Sequence, residues 1–82
     1  MSVLKRYEDA LEYYDKALLI DPNYSRAWYN KACVESLRNN KQESINYLKK
    51  VIELDENIIE KAKLEADFDN IRDSEEFKEL IG

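Results

Sequence analysis

The chain has 82 residues, of which 44% are hydrophobic and 38% are charged, with one Gly and one Pro. This length allows one small hydrophobic core without a second domain, and the composition favours long helices. Residues 1–63 carry 11 acidic and 11 basic side chains, so the net charge of −5 resides in residues 64–82. The absence of a basic patch disfavours nucleic acid and anionic membranes as partners. No apolar run approaches the roughly 20 residues of a membrane span, so a soluble protein is expected.

The residue types that most often carry catalysis are scarce. The sequence has no His, one Cys (Cys33) and one Gly (Gly82). Catalytic triads, Cys/His dyads, zinc clusters and phosphate-binding glycine loops cannot be assembled from such a set within one chain. A lone cysteine also forms no intramolecular disulfide, which favours a reducing, cytoplasmic location. We therefore expect no enzyme activity and no cofactor.

An acidic stretch near the C-terminus has one feature of a calcium loop. Asp67 and Asp69 have the D-x-D spacing with which an EF-hand loop begins. Arg72 stands where that loop needs Gly, and Lys78 stands where it needs a bidentate Glu. The sequence therefore predicts no metal site.

A first helix is predicted over about residues 3–20. Its apolar residues are spaced alternately by three and four, as in a helix with one buried face. These residues are Leu4, Tyr7, Leu11, Tyr14 and Leu18. The small residues Ala10 and Ala17 lie beside this stripe and would let a neighbouring helix approach closely. Pro22 ends the helix, because a proline cannot continue the backbone hydrogen bonds.

Two further helices follow, joined by a short turn. The first of these is predicted over about residues 24–37 and buries Ala27, Trp28 and Ala32. Asn39 and Asn40 then supply a turn, in which Asn tolerates a left-handed backbone conformation. The next helix is predicted over about residues 42–54, and its buried residues are Ile45, Leu48, Val51 and Ile52.

The last part of the chain departs from this pattern. A helix is predicted over about residues 58–66, followed by a short turn and a final helix introduced by a capping box from Asp73 to Glu76. The final helix carries Phe77, Leu80 and Ile81 on one side. The acidic residues around it indicate a closing segment with a solvated outer face.

The sequence repeats itself at a spacing of 34 residues. Residues 10–23 match residues 44–57, and four of the pairs are identical: Tyr13 and Tyr47, Lys16 and Lys50, Asp21 and Asp55, Asn23 and Asn57. A fixed period of this length is typical of stacked helical repeats.

These residues give the chain a resemblance to the tetratricopeptide repeat family, whose pattern combines a Trp, small residues at a helix crossing, an aromatic and a closing Pro. The matching residues are Ala10, Tyr14 and Pro22 in one copy, and Trp28, Ala32, Ser44 and Leu48 in the next. The resemblance implies an all-α, helical-hairpin solenoid of about five helices in a single domain. Residues 3–23 would form the second helix of a partial repeat, residues 24–57 a complete repeat, and residues 58–82 a degenerate capping repeat.

The resemblance also implies a function. In the family, the first helix of each repeat lines a concave groove that receives a peptide or a helix of a partner protein. By position, this groove would be lined by Arg26, Tyr29, Asn30, Cys33, Ser36 and, from the following helix, Lys63. We therefore expect a non-enzymatic protein-interaction scaffold. The alternative is that these residues form an ordinary polar helix surface.

The partial repeat leaves one helix face to be explained. In family packing, the face formed by Tyr7, Ala10, Tyr14 and Ala17 would contact a first helix that this chain lacks. Leaving it in water forfeits about 5 kcal/mol, at about 1.5–3 kcal/mol for each large side chain. A second copy of the chain, a partner protein or upstream sequence could cover it, or the packing could relax so that this face folds onto the remaining helices. The alternative functions are therefore a closing segment of a longer solenoid, and a self-associating homodimeric module.

Overall fold

The computed structural model describes residues 3–82, with side chains from Lys5 onward, so the Leu4 side chain of the predicted stripe lies outside the described residues. The helices are α1 (Val3–Ile20), α2 (Ser25–Leu37), α3 (Lys41–Leu54), α4 (Ile58–Leu64) and α5 (Glu75–Ile81), with a 3-10 helix at Ala66–Phe68. Over residues 3–82 there is no strand. The prediction of an all-helical protein with about five helices is confirmed.

Helices α2 and α3 form a closely packed antiparallel hairpin. Ser44 lies where the helices approach each other, and its Oγ donates a hydrogen bond to the carbonyl of Ala32 at 2.7 Å. Leu48 and Val51 follow on the same face of α3 and are completely buried. The small side chains at Ala32 and Ser44 therefore allow the close approach that buries the larger residues.

The turn between α2 and α3 has the left-handed residue that the sequence predicts. Asn39 has a φ of 64°. Its backbone N–H donates to the carbonyl of Ser36, and the N–H of Asn40 donates to the carbonyl of Glu35. This pair of bonds satisfies carbonyls that the end of α2 would otherwise leave free.

Helix α1 ends at Ile20, two residues before Pro22, and packs against α2. An ion pair joins the two helices, with Lys31 Nζ 2.5 Å from Asp15 Oδ1. The same ammonium lies 5.3 Å from the ring centre of Trp28 and 4.5 Å from that of Tyr47. Lys31 therefore links α1, α2 and α3 although it is a charged residue with little exposure.

Residues 65–82, here called the closing segment, complete the core. Phe68, Ile71, Phe77 and Ile81 are buried in the same cluster as Tyr29 and Leu48. Two local expectations need correction. Helix α4 ends at Leu64 rather than near residue 66. The cap of α5 is Ser74 rather than Asp73, because Ser74 Oγ accepts the hydrogen bond from the Phe77 N–H at 3.2 Å.

Candidate binding surface

The closing segment covers half of the predicted groove. Tyr29, Cys33 and Ser36 are buried. The Tyr29 ring meets the Phe68 ring edge to face, with centres 5.7 Å apart, and its hydroxyl donates to Glu65 at 3.3 Å. These three residues therefore lie beneath the chain's own C-terminal part and are not open to a partner in this structure.

Hydrogen bonds hold the closing segment in that place. Ser36 Oγ donates to the carbonyl of Asp67 at 2.6 Å, and Asn70 Nδ2 donates to the carbonyl of Ser36 at 3.1 Å. Arg72 donates from its guanidinium to the carbonyls of Lys63 and Glu65. The segment is thus fixed both to α2 and to the end of α4.

Two side chains under the closing segment, Cys33 and Tyr29, have raised pKa values. Burial, followed by the charges of Asp67 and Glu65, raises the pKa of the Cys33 thiol to about 12. Burial, followed by the nearby Cys33 and Glu65, also raises the pKa of Tyr29. Because the thiolate is the reactive form of cysteine, Cys33 is a packing residue here rather than a nucleophile.

The remaining predicted groove residues lie in two different places. Arg26 and Asn30 line a cavity of about 220 Å³ between α1 and α2. Lys63 lines another, of about 330 Å³, against Phe77 and Ile81 of the closing segment. The six residues therefore do not form one continuous groove, because the closing segment fills the space between them.

Three tyrosines contribute to the cavity that contains Arg26 and Asn30, and we call it the tyrosine cavity. Its other lining residues are Tyr13, Tyr14, Ala17, Tyr24 and Ala27. Neither Tyr13 nor Tyr24 was among the residues predicted from the sequence for a binding surface, although Tyr14 and Ala17 of the same cavity were predicted for self-association. The identity of Tyr13 and Tyr47 across the 34-residue spacing was the signal that could have indicated Tyr13.

One side of α1 is incompletely buried by the rest of the described chain, and we call it the open face. Its residues share one side of the helix: Tyr7, Ala10, Tyr13, Tyr14, Ala17 and Ile20. Tyr13 is 69% exposed and Ile20 is 87% exposed. Tyr7, Ala10, Tyr14 and Ala17, the four residues predicted for self-association, are half-buried. The open face therefore presents apolar and aromatic groups to solvent beside the tyrosine cavity.

The open face of α1 can be compared with the equivalent face of α3, 34 residues further along the chain. The positions of α3 that correspond to Ala10, Tyr14 and Ala17 are Ser44, Leu48 and Val51, each with 0% exposure, and α2 is the helix that packs most closely on α3. Tyr47 corresponds to Tyr13, and its ring centre lies 5.8 Å from that of Trp28. Tyr13 has an edge contact with Tyr14 instead. The difference between the two faces is the covering helix.

Among residues 3–82, every helix is too short or too polar to span a membrane. No group of three or more His, Cys, Asp or Glu side chains in the described part is arranged to hold a metal ion.

Comparison with family models identifies both repeats. Two models described as tetratricopeptide repeat match the chain, one over residues 2–24 and the other over residues 25–58. The second match includes α2 and α3, and the first includes α1. A comparison with curated proteins found no match, and a comparison with solved structures found none either.

Proposed function

Because the chain belongs to the tetratricopeptide repeat family, whose repeats are non-catalytic motifs of protein–protein interaction, we propose that it binds an α-helix of a partner protein on the open face of α1. The protein acts as an interaction module and performs no chemistry. The binding surface includes the tyrosine cavity next to the open face.

The difference in burial between α1 and α3 carries this proposal. In the complete repeat, the face formed by Ser44, Leu48 and Val51 is fully buried, and the antiparallel helix α2 packs most closely on α3. The same pattern on α1 has small residues where a helix would cross, at Ala10 and Ala17. A helix is therefore the shape that fits this face, just as α2 fits α3.

The cavity adds polar groups to an apolar surface. Arg26 supplies a cation and Asn30 supplies two donors and an acceptor, so both can bind carboxylates or main-chain groups of a partner. Tyr13, Tyr14 and Tyr24 offer large aromatic surfaces with hydroxyl groups at their ends. Tyrosine and arginine are enriched at the centres of protein interfaces. Arg26 and Asn30 are therefore the two residues of the predicted groove that we include in the proposed binding surface.

A second role concerns the opposite end of the molecule. The closing segment buries Phe68, Ile71 and Phe77 against the complete repeat, while Asp69 and Glu79 remain exposed. An inner apolar side with an outer acidic side is what the last unit of a repeat array needs. We therefore also propose that residues 65–82 terminate the solenoid. A chain that ends at residue 64 should unfold without cooperativity or aggregate, and a soluble, cooperatively folded chain of that length would contradict this role.

The open face can be tested with a helix whose chemistry is known. A fluorescent peptide of residues 24–38, with Cys33→Ser, carries the helix that covers α3. We expect saturable binding of this peptide to the intact protein, measured by fluorescence anisotropy. Peptides with Ala32→Leu should bind more weakly, because a large side chain prevents the close helix crossing.

A matched pair of protein variants locates the binding site. Tyr13→Arg places a charge on the open face, whereas Asn46→Arg places the same charge on an exposed position of α3. Peptide binding should be lost in the first variant and kept in the second. Absence of binding to the unmodified protein, or equal binding to both variants, would contradict the proposal.

A further inference from the structure

We propose that the helix that covers the open face is α1 of a second copy of this chain, packed antiparallel to the first. This inference rests on the proposed function, because it takes the open face to be a protein-binding surface. It commits to one partner and to one register.

A stretch of α1 is similar in sequence to the part of α2 that contacts α3. Residues 28–32 read WYNKA, and residues 13–17 read YYDKA. In the structure, Trp28 and Lys31 contact the ring of Tyr47, and the carbonyl of Ala32 accepts the bond from Ser44. Helix α1 has the corresponding aromatic, lysine and alanine at the same spacing. It can therefore act as the covering helix as well as the covered one.

The same correspondence sets the register. If Ala17 takes the place of Ala32, and Ala10 takes the place of Ser44, then Ala17 of one copy lies on Ala10 of the other. Because the helices are antiparallel, Tyr13 then lies opposite Tyr14, and Tyr7 lies opposite Ile20. Every pair occurs twice, with a two-fold axis between Tyr13 and Tyr14. A dimer with two-fold symmetry requires this self-complementary arrangement.

The charges along α1 agree with this register. Asp9 and Lys16 are exposed on the same flank of the open face, seven residues apart, as are Ala10 and Ala17. The register therefore brings Lys16 of each copy near Asp9 of the other. It also brings Arg6, near the start of α1, towards Asp21, which follows its end. The reverse, parallel arrangement would place like charges together, which is unfavourable.

Lys16 also has a second contact available in the dimer. In the structure, Lys31 Nζ of α2 lies 4.5 Å from the ring centre of Tyr47 of α3. In the proposed dimer, Lys16 of one copy takes the place of Lys31, and Tyr13 of the other copy takes the place of Tyr47. Within one chain, Lys16 is exposed and pairs at 3.5 Å with Glu12. Two cation–π contacts would therefore form at the two-fold axis when the copies associate.

The extent of the face indicates a weak rather than an obligate dimer. Helix α1 has 18 residues, so it is about 27 Å long at about 1.5 Å per residue. An interface of one helix from each copy lies at the small end of stable protein interfaces. We therefore expect dissociation constants on the order of micromolar to tens of micromolar.

Two measurements test the association. Sedimentation velocity from about 1 to 300 μM, a range that brackets such constants, should show a monomer that converts to a dimer. Tyr13→Arg should shift this transition to at least about tenfold higher concentration, a change of about 1.4 kcal/mol. The exposed control Asn46→Arg should leave it unchanged. A chain that stays monomeric throughout the range overturns the inference.

Disulfide trapping tests the register. In a Cys33→Ser background, Ala10→Cys and Ala17→Cys are made as separate variants and oxidised alone or mixed. The mixture should form a disulfide-linked dimer, because Cys at position 10 faces Cys at position 17 of the other copy. Each variant alone should give no more linked dimer than the surface control Asn46→Cys. Equal linkage in the single variants and in the mixture would overturn the register.

The failure of this inference can be distinguished from failure of the proposed function. If the chain stays monomeric but binds the residue 24–38 peptide through Tyr13, the second copy is the wrong partner and the open face remains a binding surface. If neither association nor peptide binding occurs, both proposals fail.

Discussion

Helices α1 and α3 carry the same pattern 34 residues apart, but their apolar faces have different surroundings. Leu48 and Val51 of α3 are completely buried, whereas Tyr14 and Ala17 at the equivalent positions of α1 are half-buried. The periodic pattern therefore identifies the residues that are suited to burial. The neighbouring helix decides whether they are buried, and each prediction below alters one side of this comparison.

The largest effect on the free energy of unfolding is expected in the closing segment. This segment covers the complete repeat, whereas no described helix covers the open face of α1. Phe68 has 0% exposure and contacts both Tyr29 and Phe77. Phe68→Ala should lower the free energy of unfolding by about 3–5 kcal/mol, through lost burial and the cavity left behind. Ile20→Ala, at an exposed site, should change it by less than about 0.5 kcal/mol in dilute protein. Urea unfolding measures both, and similar losses would contradict the described packing.

The next prediction compares equivalent positions directly. Leu48→Ala should lower the free energy of unfolding by about 2–5 kcal/mol, because the site is fully buried. Tyr14→Ala should cost less than half as much at protein concentrations below those at which copies associate. At high concentration the cost of Tyr14→Ala should grow, since association then buries this residue. A cost that does not change with protein concentration would argue against a covering helix.

Lys31 in WYNKA and Lys16 in YYDKA occupy matching positions, but they should contribute differently to the free energy of unfolding. Lys31 contacts Asp15, Trp28 and Tyr47, whereas Lys16 is exposed. Lys31→Ala should lower the free energy of unfolding by about 1–2 kcal/mol, because it removes a charge-assisted hydrogen bond and two cation–π contacts. Lys16→Ala should cost less than about 0.5 kcal/mol in the monomer. Thermal or urea unfolding of dilute protein would show the difference, which should become smaller in an Asp15→Asn, Trp28→Ala background because only the contact with Tyr47 remains.

The smallest of the predicted effects appears at high pH. Burial raises the pKa of Cys33 to about 12, whereas an unfolded cysteine has a pKa of about 8.5. A group with a raised folded-state pKa contributes stability below its unfolded pKa and loses it as pH rises towards the folded value. The free energy of unfolding should therefore fall by about 1 kcal/mol between pH 7.5 and pH 9.5. Urea titrations at both pH values measure this loss.

A variant isolates the contribution of the thiol. Cys33→Ala should lose less stability than the unmodified protein over the same pH interval. Tyr29, whose pKa is also raised, would account for the remaining loss at higher pH. An unchanged pH dependence in Cys33→Ala would show that the thiol is not the responsible group.

Local signals were sufficient to predict most of the secondary structure. The spacing of apolar residues and Pro22 located α1, and Asn39 supplied the left-handed turn that ends α2. These features depend on residues within one or two helical turns of each other. Sequence periodicity captures interactions of that range well.

The candidate site depended on contacts that periodicity does not encode. The burial of Tyr29 and Ser36 results from Phe68 and Asp67, more than 30 residues further along the chain. The closing segment has no repeat period, so its position over α2 could not be inferred from the 34-residue spacing. The open face could be predicted in part, because Tyr7, Ala10, Tyr14 and Ala17 share the pattern of α3. The repeat pattern alone does not indicate the exposure of Tyr13, because its counterpart Tyr47 lies against the Trp28 ring.

The central claim is that the open face of α1 binds a helix in the same way that α3 packs against α2. The most direct measurement is the free energy of unfolding of a chain in which a copy of residues 24–40 is joined in front of residue 7. This junction continues the 34-residue spacing and supplies the covering helix within one molecule. We predict a gain of at least about 3 kcal/mol, from burial of two or more large side chains, together with loss of self-association. An extended chain that is no more stable than the original and that associates as before would contradict the claim.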